Sequence, residues 1–179
     1  MKVAVTFALG AVLGFAAAFL PNFIQRAQAA SRQALLHTHR QFDFIAKAPV
    51  NVTGPLFGAE RERAWAPDWN PQFVWPAQAN DQEGMVFTLA HGGRNAIWVN
   101  TSFDLGANRV QYVYVVPDTL VTVIELKLTP NGDTTHVAVT YDRTALTGKA
   151  NHLVREMAER DAHAGPEWAR QINGYLGKG

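Results

Sequence analysis

The sequence predicts an α+β domain: a curved antiparallel sheet of about seven strands wrapped around a long C-terminal helix, with two short helices after the first strand. Three patterns point to it. Seven short segments alternate apolar and polar residues at period two, separated by brief turn sequences. The stretch 50–69, after the first of them, is interrupted by Pro55, Gly58 and Pro67, which favours short helical turns over one long helix. From Ala150 onward the apolar residues fall at helical spacing.

The first strand is expected over 37–45, where Phe42 and Phe44 share a face, and Ala48 and Pro49 end it. In the broken stretch, Glu60, Arg61, Glu62 and Arg63 read as a solvated helix face, with Ala64 and Trp65 turning inward. The following strands are expected over 72–77, 84–91, 95–103, 109–116, 120–129 and 134–141. Asn131 and Gly132 mark a hairpin, and connections this short imply antiparallel neighbours. Along 120–129, Leu120, Ile124, Leu126 and Leu128 share one face, opposite Val121, Val123, Glu125 and Lys127. Val137, Val139 and Tyr141 share the inner face of the last strand, which turns His136 outward. The C-terminal apolar stripe includes Leu153, Val154, Met157, Trp168, Ile172 and Leu176, and Gly165-Pro166 predicts a kink or two consecutive helices.

Composition narrows the function classes. The chain has 179 residues, of which 47% are hydrophobic and 17% charged, against roughly 25% charged in an average soluble domain, so disorder is excluded. A net charge of +1 provides no field to hold a nucleic acid by its phosphates. The absence of cysteine removes disulfide frameworks, zinc–cysteine sites, iron–sulfur clusters and thiol catalysis together.

Residues 1–30 read as a signal peptide or an N-terminal membrane anchor, ahead of a domain over 36–179. Lys2 precedes eighteen residues, 3–20, without a charge, and Ala27-Gln28-Ala29 has the form of a cleavage site. The apolar run is longer than the roughly 7–15 residues of a signal peptide. Extended through Ile24, it nears the roughly 20 that span a bilayer. Cleavage would give a periplasmic or secreted protein; retention would anchor it in the membrane, and either places it in the cell envelope. A cleaved chain loses Lys2 and Arg26 and keeps 14 basic side chains against 15 acidic.

Several residue groups then acquire a common meaning. They are Phe42, Phe44, Ile45, Ala46, Ala48 and Pro49; Leu56, Phe57, Glu60, Trp65, Pro67 and Trp69; Phe73, Val74 and Pro76; and 84–88. They continue through Trp98, Val99, Tyr112, Tyr114, Val115 and Pro117 to Val139, Thr140, Tyr141, Thr144, Ala145 and Leu146. With the element order, they resemble the START-like helix-grip superfamily (SRPBCC), which includes polyketide cyclases, aromatase/cyclases and allergen-type lipid binders. The resemblance runs from about Thr38 to Leu176. It implies a helix-grip fold with a cavity between sheet and helix; since that fold hosts binders and enzymes alike, it implies no single activity. Gly54-Pro55 departs from the pattern and predicts a shortened first helix.

The candidate ligand-binding residues are Trp65, Trp69, Phe87, Trp98, Tyr112, Tyr114 and Tyr141, all on elements bordering that cavity, with Trp75 beside them. Large rings give apolar contact area, and Trp and Tyr keep one polar handle. As a set they favour a hydrophobic or aromatic small molecule, lipid-like, over a polar one; the competing role for each ring is core packing. A catalytic group would have to be a carboxylate or histidine at the rim, and Glu60, Asp68 and His91 are the candidates. His37 and His39 share a strand face, but no third ligand follows from spacing, so neither metal nor cofactor is expected. Ser31 and Ser102 lack the Gly-x-Ser-x-Gly context, and no glycine-rich loop leads from a strand into a helix. Asn51 and Asn100 open sequences with the form of glycosylation sites. The expected function is binding of a hydrophobic small molecule. The alternatives are an enzyme of the polyketide cyclase/dehydratase type using the same pocket, and an anchored partner-binding module with the pocket closed.

Overall fold

Alternation decides the sheet. In the computed structural model, which describes residues 34–91 and 93–178, the strands are β1 (His37–Ala46), β2 (Gln72–Trp75), β3 (Val86–His91), β4 (Arg94–Asp104), β5 (Arg109–Val116), β6 (Leu120–Asn131) and β7 (Thr134–Ala145). They form one antiparallel sheet in the order β1-β7-β6-β5-β4-β3-β2. Strands β2 to β7 are a meander, and β1 returns to pair with the last of them. Every second residue of β5, of β6 as far as Leu128, and of β7 is buried, and those residues line the concave side. The hairpin between β6 and β7 has Gly132, at φ +61°, first in its two-residue loop, a conformation a side chain would resist. The expectations for residues 1–30, and for the side chain of His91, lie outside the described residues. No helix among the described residues is long and apolar enough to cross a membrane.

After β1 the chain forms a four-residue helix, α1 (Val50–Thr53), then 3-10 turns at Gly54–Phe57 and Arg61–Ala64. The Thr53 and Thr135 hydroxyls both donate to the Ala48 carbonyl, at 3.0 and 2.8 Å, which fastens this segment over β7. At the C terminus the interruption expected at Gly165-Pro166 divides the helical segment into two consecutive helices. α2 (Asn151–Asp161) and α3 (Gly165–Leu176) are separated by a short turn, and Pro166 sits in the first turn of α3, where its missing N–H leaves no bond unmade. Val154, Met157, Ala158 and Ile172 are buried against the sheet.

Two asparagines fix these helices to β1. Asn151 at the start of α2 accepts from the Leu36 N–H at 2.8 Å. Asn173 on α3 accepts from the Lys47 N–H at 2.7 Å and donates to the Ile45 carbonyl at 2.9 Å. At Gly165 a Cβ would lie 2.9 Å from the Asp43 carbonyl oxygen, so the start of α3 approaches β1 as closely as backbone allows.

Some boundaries differ from expectation. β2 stops at Trp75, because Pro76 has no N–H to donate. β7 continues four residues past Tyr141 to Ala145, and the extension turns Arg143 inward. Glu62, expected on a solvated face, is buried at 7% exposure. Trp75 is 55% exposed and stands clear of the core. Asn100 is fully buried, so its glycosylation-like sequence is not accessible.

Candidate functional site

A single row of cross-strand neighbours builds the site. Arg143 on β7 faces Thr122 on β6; Thr122 faces Tyr114 on β5, Tyr114 faces Trp98 on β4, and Trp98 faces Phe87 on β3. Directly paired side chains on one face touch, and here they stack. The Trp98 and Tyr114 rings are 4.3 Å apart at 22°, and Phe87 and Trp98 are 5.7 Å apart at 17°. One step along the sheet lies a second row: Tyr141, Ile124, Tyr112 and Asn100.

Over these rows lies a cavity of about 630 Å³. Its floor includes Trp98, Tyr114, Ile124, Tyr141 and Arg143; its walls include Trp65, Trp69 and Trp168 of α3. Trp65 and Trp168 lie 5.5 Å apart, and Trp69 meets Trp98 edge-on at 5.4 Å. Glu62, Asp68, Glu167 and Gln171 supply further polar groups to the lining.

Of the seven rings expected at a ligand, Trp65, Trp69, Trp98, Tyr114 and Tyr141 line this cavity. Phe87 and Tyr112 are not among its lining residues: Phe87 is fully buried against Trp98, and the Tyr112 hydroxyl donates to the Phe57 carbonyl. Backbone also occupies two of the polar handles. Trp65 Nε1 donates to the Leu56 carbonyl and Trp69 Nε1 to the Ala59 carbonyl, both at 2.7 Å, so these indoles hold the 54–60 segment in place. Trp98 Nε1 is buried without a partner. The Tyr141 hydroxyl has no partner among the described residues, and burial holds its acidity far below that of a free phenol.

The charged groups were not anticipated. Arg143, 4% exposed, donates from Nε and Nη2 to the two Asp161 oxygens at 2.6 and 2.9 Å. Its Nη1 donates to Thr122 Oγ1 at 2.9 Å and to the Tyr114 hydroxyl. The guanidinium lies 4.6 Å from the Tyr141 ring centroid, a cation–π contact. Continuing the alternation of β7 one step beyond Tyr141 would have placed Arg143 on the inner face.

Glu62 is the second. Its carboxyl has no hydrogen-bond partner among the described residues, and burial, reinforced by the Asp81 charge, holds its pKa well above the ordinary carboxylate range. In a 3-10 turn, residues three apart eclipse, so Glu62 must follow Trp65 inward. Asp81, in the segment between β2 and β3, organises that turn. Its carboxylate accepts from the Glu60 N–H at 3.0 Å and occupies the space a Gly58 side chain would need.

The other candidates lie elsewhere. Glu60 is 44% exposed and pairs with Arg63 at 2.7 Å, outside the cavity, while Asp68 is at its mouth. His39 bonds Asp142 at 2.7 Å and His37 bonds Thr144 at 2.9 Å, both on the outer surface. No group of three metal-ligating side chains occurs among the described residues.

No known family profile matches the sequence, and no curated protein sequence matches it. Solved structures do. Truncated norcoclaurine synthase from Thalictrum flavum aligns with a TM-score of 0.60 at 8% identity, over 82% of this chain and 95% of that one. The same enzyme in complex with dopamine and hydroxybenzaldehyde gives 0.60 at 9% identity, over 99% and 97%. The Mll3558 protein of Rhizobium loti gives 0.56 at 16% identity, over 80% and 100%. At these identities the likeness concerns fold alone, and together with the seven-stranded sheet and its C-terminal helices it shows that the chain has the helix-grip fold.

Proposed function

We propose that the protein binds a hydrophobic, aromatic-compatible small molecule between the sheet and the C-terminal helices. The supporting observation is the cavity of about 630 Å³ whose lining includes six indole and phenol rings. Such a volume is in the usual range for small-molecule sites, and burial of apolar ligand surface contributes roughly 25 cal/mol per Å², offset by ordering of the ligand. Within the same proposal, the apolar run in residues 3–20 supports a location in the bacterial cell envelope. Norcoclaurine synthase, similar in fold, has been captured with two small aromatic molecules.

The test is uptake of the neutral fluorescent probe N-phenyl-1-naphthylamine, together with native mass spectrometry of the protein as recovered from cells. Saturable probe uptake and a retained small apolar mass are the expected results. Absence of both refutes the reading.

A second reading, an enzyme of the cyclase or dehydratase type, draws support from Glu62. A buried carboxyl whose pKa is raised by desolvation is the kind of group general acid–base chemistry uses. Turnover lost in Glu62→Gln, with ligand uptake retained on the same protein, would favour this reading over simple binding.

A further inference from the structure

Resting on the cavity reading above, we propose that the occupant is a hydrophobic organic cation, a protonated amine or a quaternary ammonium, held with its charge against the Glu62 carboxylate among the indole and phenol rings. The failure of that reading and of this one are separable, as the experiment below shows.

The charges in the cavity leave one group unanswered. Its lining holds three carboxyl groups, Glu62, Asp68 and Glu167, and one cation, Arg143. Arg143 is not available to an anionic ligand: four of its N–H donors already serve Asp161, Tyr114 and Thr122. Glu167 pairs with Arg170, and Asp68 is exposed at the mouth. Glu62 alone is both buried and without a partner, and the charge acting on it, that of Asp81, has its own sign. An ionised carboxyl in such a place is costly until a positive group answers it.

The rings supply the other half of the recognition. Trp65, Trp69, Trp98 and Tyr114 line the same space as Glu62. Indole and phenol faces attract cations, most strongly where water is excluded. A neutral ligand of equal shape would gain the apolar contact and leave the carboxyl as it is. An anion would meet Glu62 and the negative faces of the rings. The arrangement therefore selects for positive charge.

Binding of such a ligand is linked to a proton. In the empty cavity burial raises the pKa of Glu62, and an arriving cation favours the carboxylate, so binding releases protons to solvent and affinity falls as pH falls. The groups facing this event are Asp81 from the segment before β3, Tyr112 and Tyr114 from β5, Tyr141 and Arg143 from β7, Asp161 from α2, and Glu167 and Asp68 at the mouth. Tyr112 and Tyr141 are pushed upward and stay neutral, and Arg143 stays charged beside Asp161. Asp81 is also raised by burial, so the assignment of the proton needs a Glu62 variant.

The experiment uses two probes of matched shape, benzyltrimethylammonium and neopentylbenzene, competing with N-phenyl-1-naphthylamine on the full chain. The cation is expected to displace the reporter at a concentration about tenfold lower than its neutral counterpart. Glu62→Gln is expected to bring the two probes to parity, with folding checked by circular dichroism. Calorimetry of the native protein in buffers of different ionisation enthalpy should register proton release with the cation and none with neopentylbenzene. Equal displacement by the two probes, a preference that survives Glu62→Gln, or cation uptake without proton release overturns the proposal. If the reporter itself does not enter, the cavity reading fails and takes this one with it; reporter uptake without cation preference overturns this one alone.

Discussion

Arg143 and Asp161 form a two-point ion pair, 2.6 and 2.9 Å long, between the last strand of the sheet and the last turn of α2. Both side chains are buried, and the same guanidinium holds the Tyr114 hydroxyl and covers the Tyr141 ring. The pair thus ties the sheet to α2 beside the cavity that Arg143 lines.

Breaking the pair from one side leaves a buried charge unanswered. Arg143→Met or Asp161→Leu alone is expected to cost about 3–5 kcal/mol, while the double variant recovers much of that loss. Denaturant titration of all four proteins checks this through the midpoint at constant slope. If the single and double variants lose equal stability, the two side chains do not act as a unit.

The sequence makes the sheet legible and the site only partly so, and the reason differs between residues. Phe42, Val139 and Ile124 announce their faces because period-two alternation is a property of the strand alone. Arg143 belongs to the same alternation, yet a charged residue on an inner face contradicts the rule that apolar residues mark it. Only its partner Asp161, 18 residues further on, makes the position tolerable. Glu62 sits between two arginines, where a solvated turn is the ordinary expectation; its burial follows from Asp81 and Gly58, which no local pattern brings together. Of the aromatic set, spacing identifies the inner faces, but depth along the sheet decides which rings meet the cavity. Tyr112 and Tyr114 differ by one inward step, and only Tyr114 lines it.

Gly58 provides a test of how the Glu62 turn is held. A Cβ there would lie 2.1 Å from Asp81 Oδ2 and 2.2 Å from its Cγ. Gly58→Ala therefore forces the carboxylate out and frees the Glu60 N–H it was accepting from. The expected loss is about 1–3 kcal/mol. Because Asp81 also contributes to the raised pKa of Glu62, its displacement should lower that pKa; a carboxyl-labelled NMR titration of Glu62 reads both the direction and the size.

Stability should depend on pH through Glu62, and the sign is set by its upward shift. Below the unfolded-chain value, about 4.3, the carboxyl is protonated in both states and its contribution is intact. Above that value the unfolded chain releases the proton while the buried group retains it, so stability falls with rising pH until the folded pKa is passed. Glu62→Gln removes this term. The variant is expected to match the native protein in acid and to gain on it as pH rises from the unfolded-chain value toward the folded pKa, as followed by urea midpoints. A constant difference between the two would mean that Glu62 titrates normally.

The division of the seven aromatic residues can be tested with a stability and a binding measurement on the same variants. The Tyr112 hydroxyl is bonded to the Phe57 carbonyl behind the cavity, so Tyr112→Phe should cost about 1 kcal/mol and leave probe affinity unchanged. Trp69 is half-buried at the wall, and its indole both covers the cavity and holds the Ala59 carbonyl at 2.7 Å. Trp69→Phe keeps an aromatic surface but loses that bond and part of the wall, so both stability and uptake of N-phenyl-1-naphthylamine should decrease. Tyr114 separates the two effects further. Tyr114→Phe keeps the ring on Trp98 but removes the hydroxyl that Arg143 holds, so stability should drop more than probe affinity. If Tyr112→Phe weakens probe uptake as much as Trp69→Phe does, ligand contact extends past the cavity wall into the second row of the sheet, and the boundary drawn between Tyr112 and Tyr114 is wrong.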